Sequence, residues 1–555
     1  MNNAKEIADL LFPDVTGSID DYIKKYPERN LPEGALVTRF APSPTGFLHI
    51  GGLFTSLIAE RLAHQSNGVF ILRIEDTDKK REIEDGISGI ISALREFQVK
   101  IDEGVVGHGE QRGDYGPYIQ SERKEIYHVF IKALIAKGYA YPCFCSPEAL
   151  EASRKEQEAQ KVRPGYYGTW AVHRNDSLED IKKNLAAGKG FVVRLRSEGK
   201  ENSSFEYHDL VKGNISVTEN DQDHILMKSD GLPTYHFAHV VDDHLMHTNP
   251  IIRADEWLSS LPIHLELFKA FGWSAPQYGH VSPIMKSDNG TRRKLSKRKD
   301  PEAAVSYYNE KGYPINAVIE YLLNIANSAF EDWRKANPAL PNTEFHIALE
   351  KMSKSGALFD IAKLNDTSKD VVSRMSAEDV YAQTLAWAAQ YDPSFAELLI
   401  KHKQYVVDVL SIERTGDKPR KDIAIWSEVK DQIGYFFDDM YAQIPKSILP
   451  LPETVSGALA SEILISYAKT VDINTSRDEW FEALRVFAEG LGFARDAKSF
   501  KANPAHFKGQ VGDVAMVIRV ALTGKSRTPD LYEIMKVLSV EKAKARMLAV
   551  AKELV

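Results

Sequence analysis

Two short stretches of the chain carry residue types whose spacing suits phosphate chemistry. The first, "RFAPSPTGFLHIGG", Arg39 to Gly52, sets two prolines, three glycines and one histidine between an apolar segment and an amphipathic run. If a helix starts near Gly51, its first amide N–H groups lack intrahelical partners and stand at the positive end of the helix dipole. A phosphate fits there, and Gly46, Gly51 and Gly52 permit close backbone approach. His49, just ahead of that start, can donate to a phosphate oxygen without a fixed charge. The second stretch, "KLSKR", Lys294 to Arg298, lies among six basic residues between Arg292 and Lys299. A lysine pair, Lys294 and Lys297, is what a pentavalent α-phosphate transition state and a departing pyrophosphate need. Alone, the first stretch is a strand-to-helix turn with a satisfied histidine and the second a solvated loop; the pair is more specific than either.

These residues need elements to hold them. "GALVTRFAPSPTG" is an apolar run ending in turn residues. In "LFTSLIAERLAHQSNG", Leu53, Leu57, Ile58 and Leu62 fall at helical spacing and Gly68 offers a stop. "GVFILRIEDTD" is a continuous apolar run ending in acids, as expected of a strand buried on both faces. Strand, helix and strand within about 40 residues form a βαβ unit and imply a parallel sheet. From 126 to 210 the pattern changes to helices around a cysteine pair, then short strands, as in an insertion into the sheet domain. A strand-rich reading resumes with "DHILMKSDGLPTYHFAHVVDDHLMHTNPIIRADEWLSS", followed by a basic loop at 291–300. Residues 1–34 read as a short helical extension. After 373 the periodicity is helical, and Leu531, Ile534, Met535 and Leu538 share a face after Pro529 at a first helical position.

The chain's 555 residues are 43% hydrophobic, enough for several packed cores and against disorder. Lys plus Arg number 70 and Asp plus Glu 78, a net charge of −8, so a nucleic-acid partner must be met by local basic patches. The two cysteines, Cys143 and Cys145, are separated by one residue, a poor disulfide geometry, and a reducing, cytoplasmic setting is expected. The N-terminus lacks a basic region followed by an apolar core, and no run of about 18 apolar residues occurs, so no membrane association is expected.

With these residues in view, the chain resembles the class I aminoacyl-tRNA synthetases in their glutamyl form. "RFAPSPTGFLHIGG" looks like the nucleotide-binding signature and "KLSKR" like the second class I signature. "RIEDTD", Arg73 to Asp78, "GLPTYHFAHVVDDHLM", Gly231 to Met246, and "IIRADEWLSSLP", Ile251 to Pro262, resemble further segments in the right order. "KGQVGDVAMVIRVALTGKSRTPDLYEIM" is similar to the end of the helical anticodon-binding region of bacterial-type members. The resemblance runs from about residue 35 to the C-terminus.

It implies an α/β architecture: an N-terminal extension at 1–34 and a Rossmann-like parallel-sheet catalytic domain in two halves, 35–125 and 211–270. An inserted acceptor-binding domain occupies 126–210, a stem-contact region with the KLSKR loop 271–372, and an all-α anticodon-binding region 373–555. It also implies ATP with Mg2+, L-glutamate and tRNA(Glu) as partners, glutamyl adenylate as intermediate, and tRNA binding before glutamate activation. His49, Lys294 and Lys297 are the catalytic candidates; Gly46, His49, Gly51, Gly52 and Lys297 the ATP-binding ones. Glutamate, with one ammonium and two carboxylates, needs acid and arginine. Arg39 would meet the side-chain carboxylate with Ser43 beside it, Glu75 the α-amine, and Ala41, Tyr235 and Arg253 would complete the pocket. A monomer is expected.

Three departures stand out. His239 occupies a position where the family commonly has Asn, placing a titratable group near a charged substrate. Gly52 ends the nucleotide signature where other branches carry a second histidine. Some relatives hold zinc with Cys-x-Cys and later ligands; Cys143 and Cys145 match the first half, but Trp170 stands about where a third sulfur belongs. That leaves Tyr166, Tyr167 and His173, and zinc is not expected. The rival readings are a tRNA-modifying paralogue, which would lack the long helical region, and an inactive tRNA-binding paralogue, which would lack His49 or the lysine pair.

Overall fold

The computed structural model describes residues 2–296, 298–416 and 418–555, with the side chains at 2 and 447 outside the description. The chain forms two compact units, one running to Tyr307 and including Ile319–Asp360, the other made of Tyr308–Val318 and Ile361–Val555.

In the first unit, β1 (Val37–Phe40), β2 (Val69–Leu72) and β3 (Glu103–Gly107) pair in parallel, and β4 (Glu110–Arg112) closes the edge antiparallel to β3. Phe70, Ile71 and Leu72 are wholly buried, as an apolar run covered on both faces requires. The helix Ile50–Gln65 joins β1 to β2 and buries Leu53, Leu57, Ile58 and Leu62, so the expected βαβ unit is present. The helix does not stop on Gly68. Asn67 takes the left-handed conformation, φ 57°, while Gly68 serves close packing: a Cβ there would lie 1.9 Å from the Leu36 carbonyl oxygen. That carbonyl accepts from Val69 N–H at 3.0 Å, which pins β2 beside the entry to β1.

The chain then leaves the sheet. β5 (Ala140–Cys143), β6 (Val192–Leu195) and β9 (Ile225–Met227) form an antiparallel sheet, and β7 (Ser204–Asp209) with β8 (Gly213–Thr218) a hairpin. The inserted sheet therefore draws in residues beyond 210. The segment read as strand-rich holds β9 and a further strand at Ile251–Ala254, but between them lies a helix, Tyr235–Leu245, whose inner face is apolar except for His239, Asp242 and Asp243. Burial on several sides removes from it the polar stripe of an ordinary surface helix.

The chain returns to the sheet as β10 (Ile251–Ala254), paired in parallel with β11 (Tyr278–Val281). Val37 and Asn249 exchange two backbone hydrogen bonds, which sets this pair alongside β1. The spatial order is thus β3, β2, β1, β10, β11, and the direction of winding reverses between β1 and β10. Open parallel sheets bind ligands at that switch, beyond the carboxyl ends of the strands. The basic segment read as a loop is partly a strand: β12 (Met285–Asp288) and β13 (Thr291–Lys294) form an antiparallel hairpin.

The regular elements of the second unit from Ile361 on are helices, from Ile361–Ser373 to Val540–Glu553. Their core includes Trp426, Leu464, Leu484, Val517, Ile518 and Met547. Leu531, Ile534, Met535 and Leu538 are buried together as their spacing requires. Pro529 lies outside that helix; Asp530 is the N-cap, accepting from Tyr532 and Glu533 N–H at 3.0 and 3.2 Å. A carboxylate satisfies two orphan donors there, which proline cannot do. Among the described residues no helix is long and apolar enough to cross a membrane.

Candidate active site

At the carboxyl ends of β1 and β10 lies a cavity of about 380 Å³ lined by Arg39, Ala41, Ser43, Gly46, His49, Gly51, Gly52, Glu75, Tyr235 and Arg253. A second cavity, of about 300 Å³, is lined by His49, Gly51, Glu256, Lys294 and Ser296 among others. His49, Gly51, Thr55 and Glu256 border both. The imidazole at the front of the sheet and a lysine far along the chain are thus on the walls of adjoining cavities. Lys297 lies outside the described residues.

His49 is the N-cap of the helix Ile50–Gln65. Its Nδ1 accepts from the Gly52 N–H at 3.0 Å, so the neutral ring carries its proton on Nε2. The amide of Gly52, expected among the unpaired ones, is therefore occupied by His49 itself. A Cβ on Gly51 would stand 3.0 Å from that same Nδ1, so glycine there leaves the ring its place. On the hairpin, Lys294 pairs with Glu256. The loop after β13 is tied down by Asp300, nearly wholly buried, which accepts from Arg293 Nη1 and Nη2 at 2.6 and 2.8 Å and from Ser296 N–H at 2.9 Å.

Under the first cavity lies a buried ionic lattice. Arg39 donates from Nε and Nη2 to Asp243 at 3.2 Å, and Arg73 Nη1 reaches Asp243 at 2.6 Å and Nη2 reaches Glu75 at 3.2 Å. Burial alone would raise the Asp243 carboxyl, but Arg39 and Arg73 outweigh it and hold it well below the carboxylate range. Asp242 anchors a neighbouring layer in the same way, receiving Arg123 Nε at 2.7 Å, Gln120 at 2.9 Å and the Tyr127 hydroxyl at 2.9 Å. Glu75 is pushed up to about 7 by burial, against the pull of Arg73 and Arg39. It is a carboxyl poised to ionise when a cation arrives. The fork of Arg39, expected to meet a ligand carboxylate, here holds Asp243.

Arg253 lies across the cavity, its guanidinium over the Tyr278 ring at 4.6 Å and 3.5 Å from the Tyr235 hydroxyl. Trp257 packs on Tyr235 at 4.2 Å between ring centroids and lines the same wall. His239 is wholly buried: it sits 2.7 Å from Asp243 by Nδ1 and 3.0 Å from the Tyr278 hydroxyl by Nε2. Burial outweighs Asp243 and lowers it to about 3, so the ring is neutral and its added titration lies far below neutral pH. Asp243, Arg73 and Trp257 were not singled out from the sequence. Two adjacent acids in an otherwise apolar "AHVVDDHL" were the available signal, because acids are buried only when paired.

The cysteine pair is differently arranged from a four-ligand centre. Cys143 and Cys145 lie 3.3 and 3.7 Å from the Tyr166 hydroxyl. Tyr167 donates to the Arg163 carbonyl instead, and His173 Nδ1 pairs with Asp176 at 2.7 Å. Hydrogen bonding from Cys145 lowers the Cys143 thiol to about 5. Among the described residues no three His, Cys, Asp or Glu side chains are grouped to hold a metal ion.

A switch-point cavity, a histidine-capped helix and a basic hairpin thus meet at one end of the sheet, an arrangement suited to a nucleotide beside a small charged ligand. The family described as "tRNA synthetases class I (E and Q), catalytic domain" matches residues 35–366, and "Anticodon binding domain" matches 497–551. The chain is 50% identical over 543 residues to the glutamate–tRNA ligase of Clostridium perfringens strain 13, covering 98% of this chain and all of that protein. It is 47% identical to the ligase of Sorangium cellulosum, over 97% of this chain and 99% of that one. A crystal structure of a glutamate–tRNA ligase from Elizabethkingia meningosepticum in complex with its amino acid superposes with a TM-score of 0.72 at 26% identity, covering 94% of this chain and all of that one. The chain belongs to the glutamate–tRNA ligase family.

Proposed function

We propose that this chain attaches L-glutamate to the 3′ end of tRNA(Glu) in two steps at the expense of one ATP. The observation that carries the reading is the adjoining pair of cavities with His49 between them. In the first step a glutamate α-carboxylate oxygen attacks the α-phosphorus of ATP, and pyrophosphate leaves. In the second a hydroxyl of the terminal ribose attacks the acyl carbon, and AMP leaves. Both steps depend on positioning and charge stabilisation, and neither needs a covalent enzyme nucleophile.

The amino acid occupies the larger cavity. Glu75 receives the ammonium, and Arg39, Ser43 and Arg253 the carboxylates, with Ala41 and Tyr235 shaping the walls. The triphosphate lies along Gly46, Gly51 and Gly52, where His49 donates from Nε2. Lys294, released from Glu256, and Lys297 then stabilise the transferring phosphate and pyrophosphate. Among the described residues Glu256 is the one carboxylate shared by the two cavities, which fits a magnesium ion arriving on the nucleotide better than a resident metal. That ion, when bound, neutralises pyrophosphate charge. The helical region from 373 reads the anticodon, and tRNA must be bound before glutamate is activated.

ATP–pyrophosphate exchange with and without tRNA(Glu) tests the scheme. Lys297→Ala and Lys294→Ala are expected to lower exchange by about a hundredfold with little change in glutamate KM. Exchange at the parent rate in both variants would refute the assignment. Aminoacylation of purified tRNA(Glu) and tRNA(Gln) defines the acceptor.

A further inference from the structure

The side-chain partners of Arg253 are imidazoles and phenols. Its Nε donates to His280 Nε2 at 2.9 Å, its Nη1 lies 2.9 Å from His264 Nδ1, and its buried Nη2 has no partner among the described residues. Arginine has no lone pair to offer, so both facing imidazole nitrogens must be unprotonated acceptors. Each ring is then held in one tautomer by what lies behind it. His280 Nδ1 carries the proton and donates to Asp209 at 2.6 Å; His264 Nε2 carries the proton and donates to His236 Nδ1 at 3.1 Å. Burial, with cationic Arg253 adjoining, lowers both His264 and His280, keeping them neutral. The chain Asp209–His280–Arg253–His264–His236 therefore has a single proton order.

We propose that His264 and His280 are positioning residues for glutamate binding, clamping two nitrogens of Arg253 so that the third, Nη2, is reserved for a substrate carboxylate. This rests on Arg253 being a substrate-binding arginine. Neither histidine touches the substrate; each acts through the guanidinium. A guanidinium otherwise rotates among five donors, and fixing two of its nitrogens leaves a preoriented donor pair with nothing else to satisfy it.

The two histidines use different ring nitrogens, and that makes the test specific. An asparagine Oδ1 falls where imidazole Nδ1 stood, and a glutamine Oε1 where Nε2 stood. His264→Asn and His280→Gln keep the acceptor, whereas His264→Gln and His280→Asn misplace it. Steady-state aminoacylation at saturating ATP and tRNA(Glu) gives the readout. The misplaced-acceptor variants are expected to raise glutamate KM about tenfold with kcat and ATP KM little changed, as loss of one charge-assisted hydrogen bond implies. The matched variants are expected to stay within about threefold of the parent. In an Arg253→Gln background, His264→Gln is expected to add nothing further. The same order of amides at both positions, or no change in glutamate KM at either, would overturn the clamp. An Arg253→Gln variant with unchanged glutamate KM would instead remove the underlying reading of Arg253.

Discussion

Replacing Glu75 with glutamine removes a carboxyl that burial has moved from its usual 4.5 up to about 7. Between those values the folded chain holds a proton that the unfolded chain has lost. Stability is therefore full below pH 4.5, falls as pH rises towards 7, and levels off above. Each pH unit of separation is worth about 1.4 kcal/mol, so the full loss is about 3.5 kcal/mol, of which about 2.5 kcal/mol falls between pH 5 and pH 8. The cause is geometric: Arg73 Nη2 gives one hydrogen bond at 3.2 Å, while Arg73 Nη1 and Arg39 Nε and Nη2 are already committed to Asp243. Glu75→Gln has nothing to ionise at this site. Denaturant unfolding of parent and variant at pH 5, 6, 7 and 8 should show the variant gaining about 2.5 kcal/mol on the parent across the series. On the proposed reading the same carboxyl also sets substrate affinity, because an ammonium favours its charged form. Glutamate KM of the parent is expected to fall about tenfold from pH 6 to pH 8, and that of the variant to stay flat. A stability difference that does not change with pH would refute the reasoning.

Asp243→Asn keeps the shape and one acceptor oxygen but strips the shared counter-charge from Arg39 and Arg73. Breaking such a buried pair costs about 3–5 kcal/mol, read as a lower denaturation midpoint, and a midpoint equal to the parent's would count against the lattice. Gly68→Ala drives a methyl into the Leu36 carbonyl at 1.9 Å, forcing β2 away from β1. Overpacking against backbone is expected to cost about 1–3 kcal/mol, whereas the exposed Gly190→Ala, with nothing near its Cβ and no left-handed backbone angle, serves as the comparison without close approach. Equal losses would mean that close approach has no influence.

The candidate residues drew attention in the sequence because their motifs are local. His49 with its glycines and the lysines of "KLSKR" stand out by type and spacing, the "RIEDTD" acids only through the family resemblance, and the βαβ unit by a change of hydrophobic period from helix to strand. The helical nature of the C-terminal region was legible too, since Leu531, Ile534, Met535 and Leu538 repeat at the helical period. Two elements were not legible: Tyr235–Leu245, buried on several sides, lacks the polar stripe that marks a surface helix, and the exposed β13 is hidden by its basic composition.

How the charges are shared emerges from the folded chain alone. Nothing in the spacing of Arg39 and Asp243 says that a residue expected to grip a ligand also grips an acid 204 positions away. Nor does the sequence say that Gly68 is required by the Leu36 carbonyl rather than by its own backbone angles. The reason is the same in each case. Hydrophobic period and helix capping act over a few residues and are written in the local sequence, whereas burial of a charge or close approach of two backbones depends on which distant segment arrives.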